Sequence, residues 1–504
     1  MDNIYLDTYY FFVPNRLTWQ HWVNLMGENT ESAWIPETTY TVPQVTAPAT
    51  TGWQVGTIAD YMGIPTGVPG ISVNAMPFRA YALICNEWFR DENLQDPLNI
   101  SVTDATQTGS NGDNYITDCQ LGGKPFVAGK LHDYFTSALP APQKGPDVEI
   151  PLLADANQPL PVYASMNDRH DLSTGPLGFD FLGNPSNPST SGISFYDMFL
   201  SSSYGMNSSE NQKRGSLRMS LSRDTAPTSS TTSLVKPNNL WASVSSLASG
   251  AAATINSLRL AFQTQKYFEK LARGGSRYIE SIKVNFDVTN PDYRLQRPEY
   301  LGGNRIPITI NQVIQSSEST STSPQGTTTG QSLTTDRHSD FTKSFTEHGY
   351  IIGLMVARYH HTYQQGLSKM WSRKSALDFY FPVFANLGEM PVLNKEIYCQ
   401  GNGQDNEVFG YQEAWAEYRY RPSICTGEMR STYAQSLDVW HLGDDYSTLP
   451  RLSPGWIKED KSNIDRVLAI QSTVSNQFLA DVYVKCRATR PMPVFSVPGL
   501  IDHH

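Results

Sequence analysis

The sequence predicts a mainly β protein, a sandwich or jelly roll carrying long loop insertions and a few helices, on three observations. Apolar residues recur with period two in several separate segments. Turn formers are abundant, with 36 Gly and 32 Pro among 504 residues, as short strands joined by many corners require. Aromatic residues reach 11%, with 26 Tyr, 21 Phe and 10 Trp. A disordered chain lacks them, so this one folds.

In chain order, a short helix is expected over Tyr81 to Phe89, followed by a polar, turn-rich excursion from Ser101 to Thr117. A longer excursion, residues 154–241, holds Gly, Pro, Asn and Ser clusters and the run Thr228 to Ser233. Leu247, Ala251, Ile255, Leu258 and Phe262 form one apolar stripe on a helix over about 245–273, which Gly274-Gly275 stops. Ile282, Val284, Phe286 and Val288 alternate with Ser281, Lys283, Asn285 and Asp287, a strand pattern. Ile306, Ile308 and Ile310 repeat it, and Pro307 among them marks an edge strand. Residues 315–335 are nearly low complexity. Ile351 to Val356 reads as a strand buried on both faces. Near the end, Val482, Val484 and Cys486 oppose Asp481, Tyr483, Lys485 and Arg487 in a last strand. Strands so scattered favour a sandwich with insertions over repeated βαβ units, and loops of such length do something or stay mobile.

Charge and motifs exclude more than they assign. The net charge is -10, whereas a dedicated nucleic-acid binder is usually basic, although a local basic patch remains compatible. Cys85, Cys119, Cys399, Cys425 and Cys486 are irregularly spaced and read as free thiols of a reducing compartment. Met1-Asp2-Asn3 begins no secretory signal, and the apolar run Ile351 to Ala357 is too short to span a bilayer, so no membrane insertion is expected. No phosphate-cradling GxxxxGK[ST], HExxH, GxSxG or helix-opening GxGxxG occurs. His360 and His361 would point to opposite faces of a strand and could not easily share a metal. Asp444-Asp445, with Asp438 upstream, lack an EF-hand pattern and read as an acidic turn, and His503-His504 as a solvated end. The expectation is no enzyme, no cofactor and no metal.

Basic residues mixed with aromatics are the remaining candidates. Tyr418, Arg419, Tyr420 and Arg421 alternate, and Lys369, Trp371, Arg373 and Lys374 form a looser cluster. Such clusters can line a path for single-stranded DNA, with bases stacking on rings and cations tracking phosphates. The competing reading is a surface strand whose arginines pair with Glu413 and Glu417.

Longer blocks carry a more specific signal. They are PFRAYALICNEWFRDENLQD (Pro77 to Asp96), HDYFTSALPAPQKGP (His132 to Pro146), ARGGSRY (Ala272 to Tyr278) and RLQRPEYLGG (Arg294 to Gly303). FTKSFTEHGYIIGL (Phe341 to Leu354), TYQQGLSKMWSR (Thr362 to Arg373) and LNKEIYCQG (Leu393 to Gly401) follow. FGYQEAWAEYRYRPS (Phe409 to Ser423) and RPMPVFSVPGLIDH (Arg490 to His503) complete the series. In content and order these blocks resemble the major capsid proteins of the Microviridae, in particular the gokushoviruses, over nearly the whole chain apart from residues 154–241 and 315–335.

The resemblance implies a viral jelly-roll β-barrel in which residues 1–153 and 242–504 form the core with its interstrand insertions. Residues 154–241 would form a variable surface protrusion around the threefold axes that meets a host receptor. It implies self-assembly, through pentamers, into an icosahedral shell enclosing circular single-stranded DNA, aided by internal scaffolding and DNA pilot proteins. The protein would be assembled in the bacterial host cytoplasm and reside in the virion. Relatives carry an upstream segment before the equivalent of MDNIYLDTYYFFVPNRL, so a truncated or misassigned start is expected. Candidate DNA contacts are Arg294, Arg297, Lys369, Arg373, Lys374, Arg419 and Arg421. Candidate interface anchors are Trp19, Trp22, Trp88, Trp371 and Trp415, each with core packing as its alternative. The contrasting reading is a secreted carbohydrate-binding or glycan-cleaving β protein, suggested by the Tyr, Trp, Ser and Thr content.

Overall fold

The computed structural model describes residues 4–28, 40–146, 148, 255–314, 316 and 328–490, with the backbone of four short strands between 162 and 242. The chain divides into two compact units, Met1–Asp147 with Gln265–His504, and Val148–Thr264. Strands β1 (Ile4–Pro14), β2 (Gln44–Thr46), β3 (Ser72–Asn74) and β4 (Gln107–Thr108) precede the second unit. Within that unit β5 (Val162–Ala164) pairs with β8 (Leu240–Ala242), and β6 (Phe179–Leu182) with β7 (Leu234–Pro237), all antiparallel. The first unit continues with β9 (Glu299–Ile308), β10 (Ile310–Ile314), β11 (Thr328–Ser332), β12 (Gly349–Tyr359), β13 (Glu389–Leu393) and β14 (Val408–Glu413).

The organising element is an antiparallel sheet in the order β12-β1-β9. β1 (IYLDTYYFFVP) is almost entirely aromatic, β-branched or apolar, the composition that a central strand needs. It pairs with β12 without a shift, from Ile4 opposite Tyr359 to Pro14 opposite Gly349. One face, carrying Tyr9, Phe11, Val13, Ile352 and Leu354, packs on Ala80 and Ile84 of the helix Met76–Ile84. Each such buried side chain contributes about 1.5–3 kcal/mol. On the other face Ile4 and Tyr359 meet Leu442 and Ile464 at one end, while the Phe12 ring packs at a tilt on Phe345 farther along. Beside the helix, a small sheet β3-β2-β4 closes over Trp53, Phe78, Ala82 and Cys119.

Several expectations hold. Pro307 lies on an edge strand, where its missing N–H costs no ladder bond. The helix expected over 245–273 is found as Ile255–Gly274, its earlier residues lying outside the described ones. Gly275 then takes a left-handed φ of 89°, which glycine adopts without strain. The expected Tyr81 to Phe89 helix begins five residues earlier, at Met76, and ends in a π turn, Cys85–Phe89.

Other expectations fail for identifiable reasons. Residues 281–288 are not a strand: Tyr278–Phe286 is a helix, on which Ile279, Ile282 and Phe286 recur at three and four residues. A Glu280 carboxylate accepting from the Arg277 N–H starts it, and Asp287 in the left-handed region ends it. β12 is not buried on both faces; it is an edge strand that leaves Ile351 and Met355 nearly half exposed. Residues 481–487 carry strand alternation but pair with no strand and are exposed. A strand needs an adjacent edge, and none reaches them among the described residues. Helical residues outnumber strand residues among those described, so this part of the chain is less β-rich than its composition suggests. The 154–241 and 315–335 excursions fall mostly outside the described residues.

Candidate nucleic-acid and subunit interfaces

The two basic-aromatic clusters meet in space. Lys369–Ser372, Ala376–Asp378, Pro382–Phe384 and Ala416–Tyr418 are single 3-10 turns, each too short to bury a face of its own. Side chains fix them. The Asp378 carboxylate accepts from the backbone N–H groups of Lys374 and Ser375 at 2.8 and 2.7 Å, and these bonds hold its carboxyl below the usual range. Trp415, left-handed at φ 63°, donates from Nε1 to the Phe384 carbonyl at 2.9 Å. Tyr380 contacts Trp415 edge-on at 5.7 Å.

Arg373 lies 4.2 Å over the Tyr418 ring and reaches Glu417 at 3.3 Å. Arg419 pairs with Glu413 at 2.7 Å on an exposed surface. The Arg419–Glu413 pair follows the competing reading of the cluster, whereas Glu417 is taken by Arg373 from the other cluster and Ala416–Tyr418 is a turn rather than a strand. Lys369 donates to the Pro391 carbonyl at 3.2 Å. Lys374 and Arg421 are exposed and make no ion pair with a described residue. Arg294 is exposed at a distance in sequence from this cluster, whereas Arg297 is buried, 4.5 Å over the Trp88 ring and 3.5 Å from Asp292.

The tryptophans divide similarly. Trp19 is fully buried, its Nε1 donating to Asp104 at 2.6 Å, and Trp415 is 7% exposed, so both pack the interior of this chain. Trp22 is partly buried beside His348. Trp88 is partly exposed and bonded to the Pro298 carbonyl at 3.1 Å. Trp371 is the most exposed of the set, at 71%.

A buried charge cluster escaped the sequence reading. His361, beyond the end of β12, contacts Asp444 through Nδ1 at 2.9 Å and Glu459 through Nε2 at 3.1 Å. Asp444, taken from sequence as part of an acidic turn, is buried and accepts from Tyr446 at 2.7 Å and Asn463 at 2.6 Å. The Lys130 ammonium stands 3.9 Å from it, over the Trp456 ring. Burial alone would depress the His361 pKa, but the hydrogen bonds and charges of the two carboxylates outweigh it and raise it to about 9. Burial likewise raises Asp444, and His361 and Lys130 outweigh that to leave it below the ordinary value. Two cations face two anions, a clamp that ties the end of β12 to the segments carrying Asp444 and Glu459.

Comparison with known proteins points one way. A family model described as capsid protein (F protein) matches residues 1–500. Capsid protein VP1 of Spiroplasma virus 4 is 43% identical over 506 residues, covering 99% of this chain and 86% of that one. Capsid protein VP1 of Chlamydia phage 1 is 41% identical over 530 residues, covering 99% and 87%. Capsid protein VP1 of Bdellovibrio phage phiMH2K is 40% identical over 506 residues, covering 99% and 86%.

Proposed function

Since the chain belongs to the capsid F protein family of the Microviridae, we propose that its copies close, through pentamers, into a small icosahedral shell around circular single-stranded DNA. It is a capsid protein of the virion, gokushovirus-like, and not an enzyme. The observation that carries this reading is a single collinear match spanning residues 1–500. A secreted glycan-binding protein has no place in that match.

In the jelly roll that the family implies, the sheet β12-β1-β9 is one layer. Residues 481–487, alternating and unpaired, would be a strand of the facing layer, paired once that layer is complete. Residues 154–241 would project outward around the threefold axes and meet the host receptor, and scaffolding and pilot proteins would act from inside. Shell closure needs several distinct patches on each subunit, and among the tryptophans the exposure of Trp371 favours it as an anchor.

Genome contact is weak per subunit and multiplied over the shell. Lys374, Arg421, Arg419, Arg294 and Lys369 would meet phosphates. Arg373 and Arg297, already engaged on Tyr418 and Trp88, would hold those rings in place for bases. Reversing charge at Lys374 and Arg421 tests this, with DNA content read from the ultraviolet absorbance ratio of purified particles. Shells should still form but hold less DNA. Unchanged DNA content would remove this face from genome binding.

A further inference from the structure

We propose that residues 376–387 (ALDFYFPVFANL) form a contact between neighbouring copies of this chain, an assignment that rests on the capsid reading above. Seven of the twelve residues are large and apolar. The chain bends here through Ala376–Asp378 and Pro382–Phe384, and two one-turn helices cannot bury such a run against themselves. Leu377 is 70% exposed and Val383 86%, while Phe379, Tyr380, Phe381 and Leu387 are each close to half exposed. Counting Trp371 of the preceding turn, the apolar surface left in water is on the order of 700 Å², close to the ~800 Å² that each partner contributes to a stable interface. Patches of this extent on soluble monomers usually mark association sites.

The segment is also pre-ordered. Asp378 caps its first turn, the Tyr380 N–H donates to the Tyr418 hydroxyl at 3.2 Å, and Trp415 holds the Phe384 carbonyl. Little conformational entropy remains to be lost on docking, which favours affinity.

Charge selects the occupant. Asp378 is the one ionisable side chain among residues 376–387 apart from Tyr380, and its carboxylate is taken up by the cap. DNA would need free cations along this strip. The Arg373 guanidinium lies 5.6 Å over the Phe379 ring but is taken up by Glu417 and Tyr418, and Lys374, Arg419 and Arg421 lie outside the strip in sequence. Each copy carries a net charge of -10, so copies repel at long range and must associate through neutral apolar surface. A second copy of this chain fits that requirement.

The test is Leu377→Asp with Val383→Asp, at side chains exposed enough to leave the subunit folded. Circular dichroism of the unassembled variant should match the parent, while sedimentation should show particle yield at least tenfold lower. The control Val55→Asp, at another exposed valine, should assemble normally. A second variant avoids any doubt over folding. Val383→Cys should react with maleimide in unassembled subunits and be protected in shells, with labelling at this site read by peptide mapping. Parent-like particle yield, equal labelling in both states, or full shells lacking only DNA would each overturn the proposal. A parent chain that forms no particles would instead overturn the capsid reading beneath it.

Discussion

The environment of His361 departs from what its neighbours in sequence suggest: the ring is buried between two carboxylates. Alternation correctly separates it from His360, which meets the Tyr5 ring edge-on at 5.7 Å. Its two carboxylates, however, come from 83 and 98 residues away, a distance over which no spacing rule operates. Substituting His361→Asn would take the shared imidazolium away from both carboxylates and leave Asp444 the more distant Lys130 as its cation. Breaking a buried pair in this way costs about 3–5 kcal/mol, so the urea midpoint of the unassembled subunit should fall clearly. The pH dependence has a definite sign. The folded pKa of about 9 lies above the ordinary 6.5, so the contribution is complete below about 6.5 and is lost as pH rises through about 9. Urea melts from pH 6 to 10 should therefore show a falling midpoint in the parent and a flatter profile in His361→Asn. A parent midpoint independent of pH across that range would refute the clamp. Among the candidate cations, the composition of the Lys369–Arg421 region was legible. Which cations were already engaged was not, because Arg373 meets Glu417 only through the fold.

At the level of elements, periodicity located β9 and the long helix but misread residues 281–288. Short apolar runs fit periods of two and of three to four alike, and there the caps decide. Arg277 with Glu280 at one end and Asp287 at the other specify a helix, and they were the signal available in the sequence. The 481–487 segment shows the converse: its pattern is that of a strand, but pairing depends on a neighbour that no local pattern can supply. The main sheet also depends on close backbone approach. At Gly303, on β9, an added Cβ would collide with the Thr8 carbonyl of β1. Gly303→Ala should therefore destabilise the subunit by about 1–3 kcal/mol, visible as a lowered thermal midpoint, whereas Gly63→Ala meets no atom and strains only its left-handed backbone. Equal midpoints for parent and Gly303→Ala would contradict the β1–β9 register.

For the whole molecule, composition and charge set the terms of association. A subunit with net charge -10 that also leaves Leu377, Val383 and Trp371 in water would, on the proposed reading, be held apart by charge repulsion and drawn together through apolar surface. Salt screens the first and leaves the second, with a Debye length of about 10 Å at 0.1 M. Raising ionic strength from about 20 to 150 mM should thus increase particle yield from purified subunits while weakening DNA retention, since phosphate contacts lose affinity with salt. Parallel salt trends for yield and DNA would contradict this division of labour between apolar strip and basic face. The family was legible from sequence because long collinear blocks survive where single motifs do not; which apolar side chains stay in water was not, since exposure is a property of the folded chain. The most direct measurement is sedimentation velocity of the purified chain, with cryo-electron microscopy of the fastest species. Closed megadalton shells built of repeated copies are the predicted result. A chain that stays monomeric at every concentration and salt condition would contradict the account.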